Sequence, residues 1–233
     1  MKKLFIIPVL LMMLFVSSCS KNDSDLNFAT HYTYVTIREA SDTEDGLCLE
    51  LDSEDRVYVE ENLSLTDLSS LAIGERVVVG VSFNYSEIAG YEYSVNLFIV
   101  TKVIEGETVF VDSSTENNLI GNDEMSLYSN MSLTYGYFNI YARYTTADYE
   151  NVKFSLVNLT YESNAYEDYL SMELRYDNGD DTNILFAEEY ENYISFDMSY
   201  FRDLLGDKSG IVLKVNLETG GSQYITIESD ELY

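Results

Sequence analysis

From Tyr32 to Glu228 the chain is a succession of short runs in which apolar residues alternate with polar ones, cut by groups of Gly, Asn, Asp and Ser. A period of two sends successive side chains to opposite faces of an extended strand, so each run can bury one face and wet the other. One stretch breaks the rule: Leu65, Leu68, Leu71 and Ala72 recur at helical spacing, with Thr66 or Asp67 to cap and Gly74 to stop them. The pattern predicts strands over 32–39, 46–52 and 56–60, a short helix within 63–73, then long strands over 75–85 and 91–103. Three strands, a helical connection and two strands are the order of an OB-type five-stranded barrel.

A short extended piece at 108–112 is followed by residues 113–125, rich in Ser, Asn and Gly and poor in apolar side chains, the composition of a linker. Seven strands are expected beyond it, over 132–144, 152–161, 169–176, 183–187, 193–199, 210–217 and 222–228, with one helical turn at 200–205. Short strands of this regularity read as an antiparallel β-sandwich. The expected class is all-β, with a leader at 1–18, a tether at 19–30, an OB-type barrel at 31–112, a linker at 113–125 and a sandwich at 126–233.

The leader is of another kind. Lys2 and Lys3 precede a nearly unbroken apolar run from Leu4 to Val16, which Pro8 interrupts. The run falls short of the roughly 18 to 20 residues that cross a bilayer, and it has the layout of a secretory signal. Val16-Ser17-Ser18-Cys19 resembles the bacterial lipobox. That resemblance implies diacylglycerol transfer to the Cys19 thiol, cleavage before it, and acylation of the new amino terminus, a combination that anchors stably where one chain does not. The polar stretch after Cys19, with Asp23 and Asp25, resembles the export signal of surface lipoproteins in Bacteroidetes-type bacteria, with fewer acids than that signal usually carries. The expected address is the outer membrane, facing the periplasm or the cell exterior.

With 41 acidic against 13 basic residues the formal charge is −28, and loss of Lys2 and Lys3 with the leader makes it −30. Such a surface repels phosphate backbones, which excludes nucleic acid as a partner. The 46% hydrophobic and 14% aromatic content provides ample apolar surface for a core, so the charge does not imply disorder.

No catalytic constellation emerges. Cys48 is the one cysteine besides Cys19 and sits in the alternating run Gly46–Leu51, with no histidine nearby in sequence to activate it. His31, the single histidine, has no second imidazole for a metal site. The acidic stretch Asp177–Asn183 lacks the ligand order of an EF-hand loop and reads as a hairpin turn, as do Asp42, Glu44 and Asp45. No metal and no cofactor are expected. Among 41 carboxylates some pair will reach glycosidase separation by chance, which removes the value of that signal. The 21 tyrosines stand out. Tyr91 with Tyr93, and Tyr135, Tyr137 and Tyr141, lie at strand spacing on shared faces. They fit either packing on half-buried strands or an exposed platform for a sugar or a protein.

Taken in order, the lipobox leader, Tyr34-Val35-Thr36-Ile37, Gly74-Glu75-Arg76-Val77-Val78-Val79, Leu119-Ile120-Gly121-Asn122-Asp123 and Ile194-Ser195-Phe196-Asp197 resemble the NigD-like lipoproteins of Bacteroidetes. The resemblance spans essentially the whole chain. It implies an N-terminal OB domain and a C-terminal β-sandwich, with a bacteriocin association carried by the family name, and it brings no catalytic or binding residue. The expected function is that of a membrane-anchored, non-catalytic binding or interaction module with a protein partner. The alternative is a surface lipoprotein that binds a glycan; a hydrolase using two carboxylates is the third reading.

Overall fold

The computed structural model describes residues 31–43, 46–128, 131–134, 136–161, 166–179, 186–206 and 208–228. Its first unit consists of β1 (His31–Glu39), β2 (Leu47–Leu51), β3 (Arg56–Asn62), β4 (Arg76–Asn84) and β5 (Tyr93–Val111). β1 pairs with β2 and β4, β2 with β3, and β5 with both β3 and β4, so the pairings close into a five-stranded ring in the order expected of an OB-type unit. The helix expected within 63–73 is a single 3-10 turn, Leu68–Ser70, capped by the Asp67 carboxylate, which accepts from Ser69 N at 3.0 Å. Leu68 and Leu71 point from this turn into the ring. With two anchors buried, one turn suffices to close that end.

β5 is a single strand of 19 residues, where the sequence suggests two pieces separated near Glu105. Residues 94–102 pair with β4, and 103–106 run parallel to β11 (Glu188–Asp197). Residues 107–111 then run parallel to β9 (Lys153–Leu159). Gly106 permits this crossing: a Cβ there would lie 2.1 Å from the Phe196 ring of β11. The polar Glu105-Gly106-Glu107 sequence looks like a turn but is held extended by partners on both sides.

The second unit has two sheets that share β5. One runs from β5 through β9, β10 (Tyr169–Asp177) and β12 (Gly210–Leu217) to β13 (Gly221–Glu228). The other places β11 between β5 and β8 (Tyr137–Thr146), with the short β6 (Ser126–Leu127) and β7 (Ser132–Thr134) beyond. The sandwich expected as antiparallel is mixed in detail, since β5 lies parallel to β9 and β11, and β10 lies parallel to β12. The run expected as one strand over 132–144 folds back on itself at Gly136, whose φ of 83° suits a tight turn. Of the strand expected at 183–187, residues 183–185 lie outside the described residues, as does most of the acidic stretch before it.

Residues 113–125, expected as a linker, carry the short α1 (Ser114–Asn117) and then an extended run fastened to the sandwich. Asp123 N donates to Tyr176 O at 2.8 Å, Met125 N donates to Asn216 O at 3.1 Å, and Met125 is fully buried. The helical turn expected at 200–205 is present as a 3-10 turn, Ser199–Phe201, running into α2 (Arg202–Leu205).

Candidate functional site

The ring packs against the outer face of the β8–β11 sheet. Alternation decides which side chains meet it: Phe138, Ile140, Ile194 and Phe196 face the sandwich core, while Tyr137, Asn139, Tyr141, Tyr193 and Ser195 face outward. At the seam Arg76 of β4 forms a two-pronged ion pair with Asp52, at 2.7 and 3.1 Å. The arginine also donates to Thr36 Oγ1 and to Asn139 Oδ1, both at 3.4 Å, and Asn139 Oδ1 accepts from Ser195 at 2.7 Å. Arg76 is only 4% exposed. Its Nε has no acceptor; the guanidinium carbon instead lies 3.7 Å from the centre of the Tyr137 ring, whose π-face takes up part of the charge.

Beside this knot a cleft of about 560 Å³ opens between the two units, bordered by Tyr32, Tyr34, Asp52, Ser132, Asn139 and Tyr193 among others. One wall continues as a row of tyrosines. Tyr34 meets Tyr193 edge-on at 6.0 Å, Tyr193 lies 4.6 Å from Tyr141, and Tyr141 stacks on Tyr128 at 4.8 Å. The row ends at Glu191, whose carboxylate accepts from the hydroxyls of both Tyr128 and Tyr141. These bonds hold the Glu191 carboxyl below its usual range. The bond to Glu191, with some burial, pushes the Tyr141 phenol up to about 12. Burial raises the Tyr34 phenol further, and its hydroxyl rests against the Ile140 carbonyl at 3.5 Å.

The five tyrosines singled out in the sequence do not form one patch among the described residues. Tyr141 belongs to the row, and Tyr137 lies at the seam over Arg76. Tyr91 and Tyr93 sit elsewhere on the ring: Tyr91 under the Arg56 guanidinium at 4.6 Å with its hydroxyl on Asp42, and Tyr93 edge-on to Phe83 at 5.6 Å. Tyr135 and Cys19 lie outside the described residues. Sequence reasoning missed Tyr34, Tyr128 and Tyr193, which come from β1, the residue after β6, and β11. Their only local trace is alternation, as at Tyr32 and Tyr34 in β1. Cys48 is buried, and its sulfur accepts from Arg56 at 3.6 Å. His31 sits beside Phe83 at 5.5 Å. Among the described residues Asp52 is the one carboxylate bordering the cleft, and Arg76 pairs with it, so these residues do not form the two-acid arrangement of a glycosidase there.

These features define an all-β protein in which an OB-type ring and a β-sandwich share a strand and enclose a tyrosine-walled cleft. The family model of the NigD-like C-terminal beta sandwich domain matches residues 107–229, and the chain belongs to that family. Solved structures share the fold across both units. A protein of unknown function from Bacteroides vulgatus superposes with a TM-score of 0.71 at 19% identity, over 85% of this chain and 90% of its own. A candidate lipoprotein from Bacteroides fragilis gives 0.62 at 10% identity, over 88% and 100%. A NigD-like immunity protein from Bacteroides caccae gives 0.55 at 14% identity, over 85% and 91%. No curated protein matches the chain in sequence.

Proposed function

We propose that this chain is a non-catalytic lipoprotein of the bacterial envelope, anchored through Cys19 at the outer membrane, that engages a protein partner in the cleft between ring and sandwich. The observation that carries this reading is the row Tyr34–Tyr193–Tyr141–Tyr128 leading into a cleft whose Asp52 and Asn139 are already bonded to Arg76 and Ser195. Side chains committed in this way suit recognition by shape and aromatic contact. Tyrosine supplies large contact area at low entropic cost. The shared fold of a NigD-like immunity protein supports an antagonism-related role, and the net charge of −28 disfavours nucleic acid.

The test places photo-crosslinking residues at Ser53 and Ser132 on the cleft border, and at Thr219 in the β12–β13 turn, which does not border the cleft. A discrete adduct with one envelope or secreted protein is expected from the first two positions only. Equal labelling from Thr219, or no adduct from any position, overturns the reading; a neutral glycan whose binding is lost in Tyr193→Ala would replace the protein as the occupant. Palmitate incorporation that persists in Cys19→Ala would remove the anchor.

A further inference from the structure

A second depression, of about 490 Å³, lies on the far side of the sandwich and is bordered by two lysines. The ladder between β9 and β10 runs from Lys153–Asp177 only as far as Val157–Glu173. Past that point the strands part, and the Asn158 carboxamide bridges the gap to Ser171 O at 3.1 Å. Val157 and Val212 give the depression an apolar floor, Tyr166 and Tyr224 border it, and Lys208 and Lys214 supply its cations. The one acid among its described residues, Glu173, is 7% exposed and already committed: it accepts from Lys214 at 2.7 Å and from Arg175. Holding three charges at such a place costs desolvation that an apolar cluster would avoid. What the arrangement does is fix the Lys214 ammonium, which has three donors, at the rim of the depression.

We infer that this depression is a binding site for a carboxylate-bearing saccharide, with Lys208 and Lys214 taking the carboxylate and Tyr224 lying against the sugar ring. The charge argument is one of contrast. In a chain of net charge −28, the described residues bordering this depression supply two lysines against one acid that is already paired, which favours an anion here. Tyr224, 63% exposed, offers an open aromatic face. An acidic peptide fits less well. A strand adding to the gap would need the Ser171 carbonyl, which Asn158 occupies, whereas a sugar brings its own hydroxyls and needs no ladder. The volume lies within the range of small-ligand sites. This site is separate from the interdomain cleft, and its occupant does not depend on what the cleft binds.

The experiment is calorimetric titration of the full chain with a glucuronate-terminated disaccharide and with its methyl ester. The acid should bind at least about tenfold more tightly than the ester, the scale of a lost charge-assisted pair. Lys214→Gln and, independently, Lys208→Gln should each weaken the acid by about tenfold, and Tyr224→Ala by a smaller factor. Lys208 lies outside the Glu173 cluster, so its variant stays informative if Lys214→Gln fails to fold. Lys102→Gln, on the ring and paired with Glu75, should bind as the unmodified chain does. The inference is overturned if neither compound binds, if the ester binds as well as the acid, if Lys102→Gln causes the same loss, or if a Glu-rich peptide binds where the saccharide does not.

Discussion

Among the described residues the interior of the ring is filled by Val, Ile and Leu, with no aromatic side chain in its buried cluster, whereas that of the sandwich takes Phe138, Tyr144, Phe154, Tyr176, Phe196 and Phe201. Geometry accounts for the difference. A five-stranded ring brings its strands close around a narrow axis that short, β-branched side chains fill. Two facing sheets stand about 10 Å apart and need longer groups to meet in the middle. Tyrosine in such a core must satisfy its hydroxyl: Tyr176 donates to Thr145 O and Tyr144 accepts from Asn192, both at 2.8 Å. The same residue type therefore plays two parts, filling one core and paving the seam between the units.

The contrast can be broken at several points. Phe196→Ala should cost about 3 to 5 kcal/mol, as for other large aromatic truncations in cores. Because Phe196 packs on Gly106 of β5, urea unfolding should still show one transition, shifted for both units. Leu97→Ala in the ring should cost about 2 to 5 kcal/mol, again in a single transition. Two separated transitions in either variant would show that sharing β5 does not couple the cores. Tyr176→Phe should cost only about 0.5 to 1.5 kcal/mol, the worth of one hydrogen bond. A neutral result there would mean that the hydroxyl is incidental and the ring alone matters.

The smallest effect concerns pH. Burial pushes the Glu173 carboxyl up, but bonds from Lys214 and Arg175 outweigh it and hold the group below the usual carboxylate range. Its folded value is thus lower than its unfolded one, so its contribution is fully present above the ordinary glutamate value and is lost as pH falls through the lowered folded value. Stability measured through the acid limb should fall less steeply in Glu173→Gln, and an unchanged slope would refute the assignment.

Much of the ring was readable in the sequence, including its five strands and Asp67 as one of two candidate caps, because alternation and capping are local signals. The continuity of β5 was not, since Glu105-Gly106-Glu107 is polar and carries a glycine, and only Phe196 and the two flanking strands explain why it stays extended. The site shows the same division. Tyr141 could be placed on one face with Tyr137 from its spacing, but its neighbours Tyr34, Tyr128 and Tyr193 come from elsewhere in the chain, and no local pattern brings them together. Arg76 stands at the head of an apolar strand, and its bond to Asn139 depends on the docking of the two units.

The family match begins at residue 107, inside β5, so the inherited unit and the physical unit have different edges. Relatives that exchanged their C-terminal halves would need to agree on the phase of this strand as well as on two domains. One residue inserted between Lys102 and Glu107 would turn the inward side chains of 107–111 outward, while the ring upstream stayed correct. Tolerance to insertion should therefore be lowest in a segment that, by composition, resembles a loop, and length variation among relatives should fall at the turns and spare this stretch.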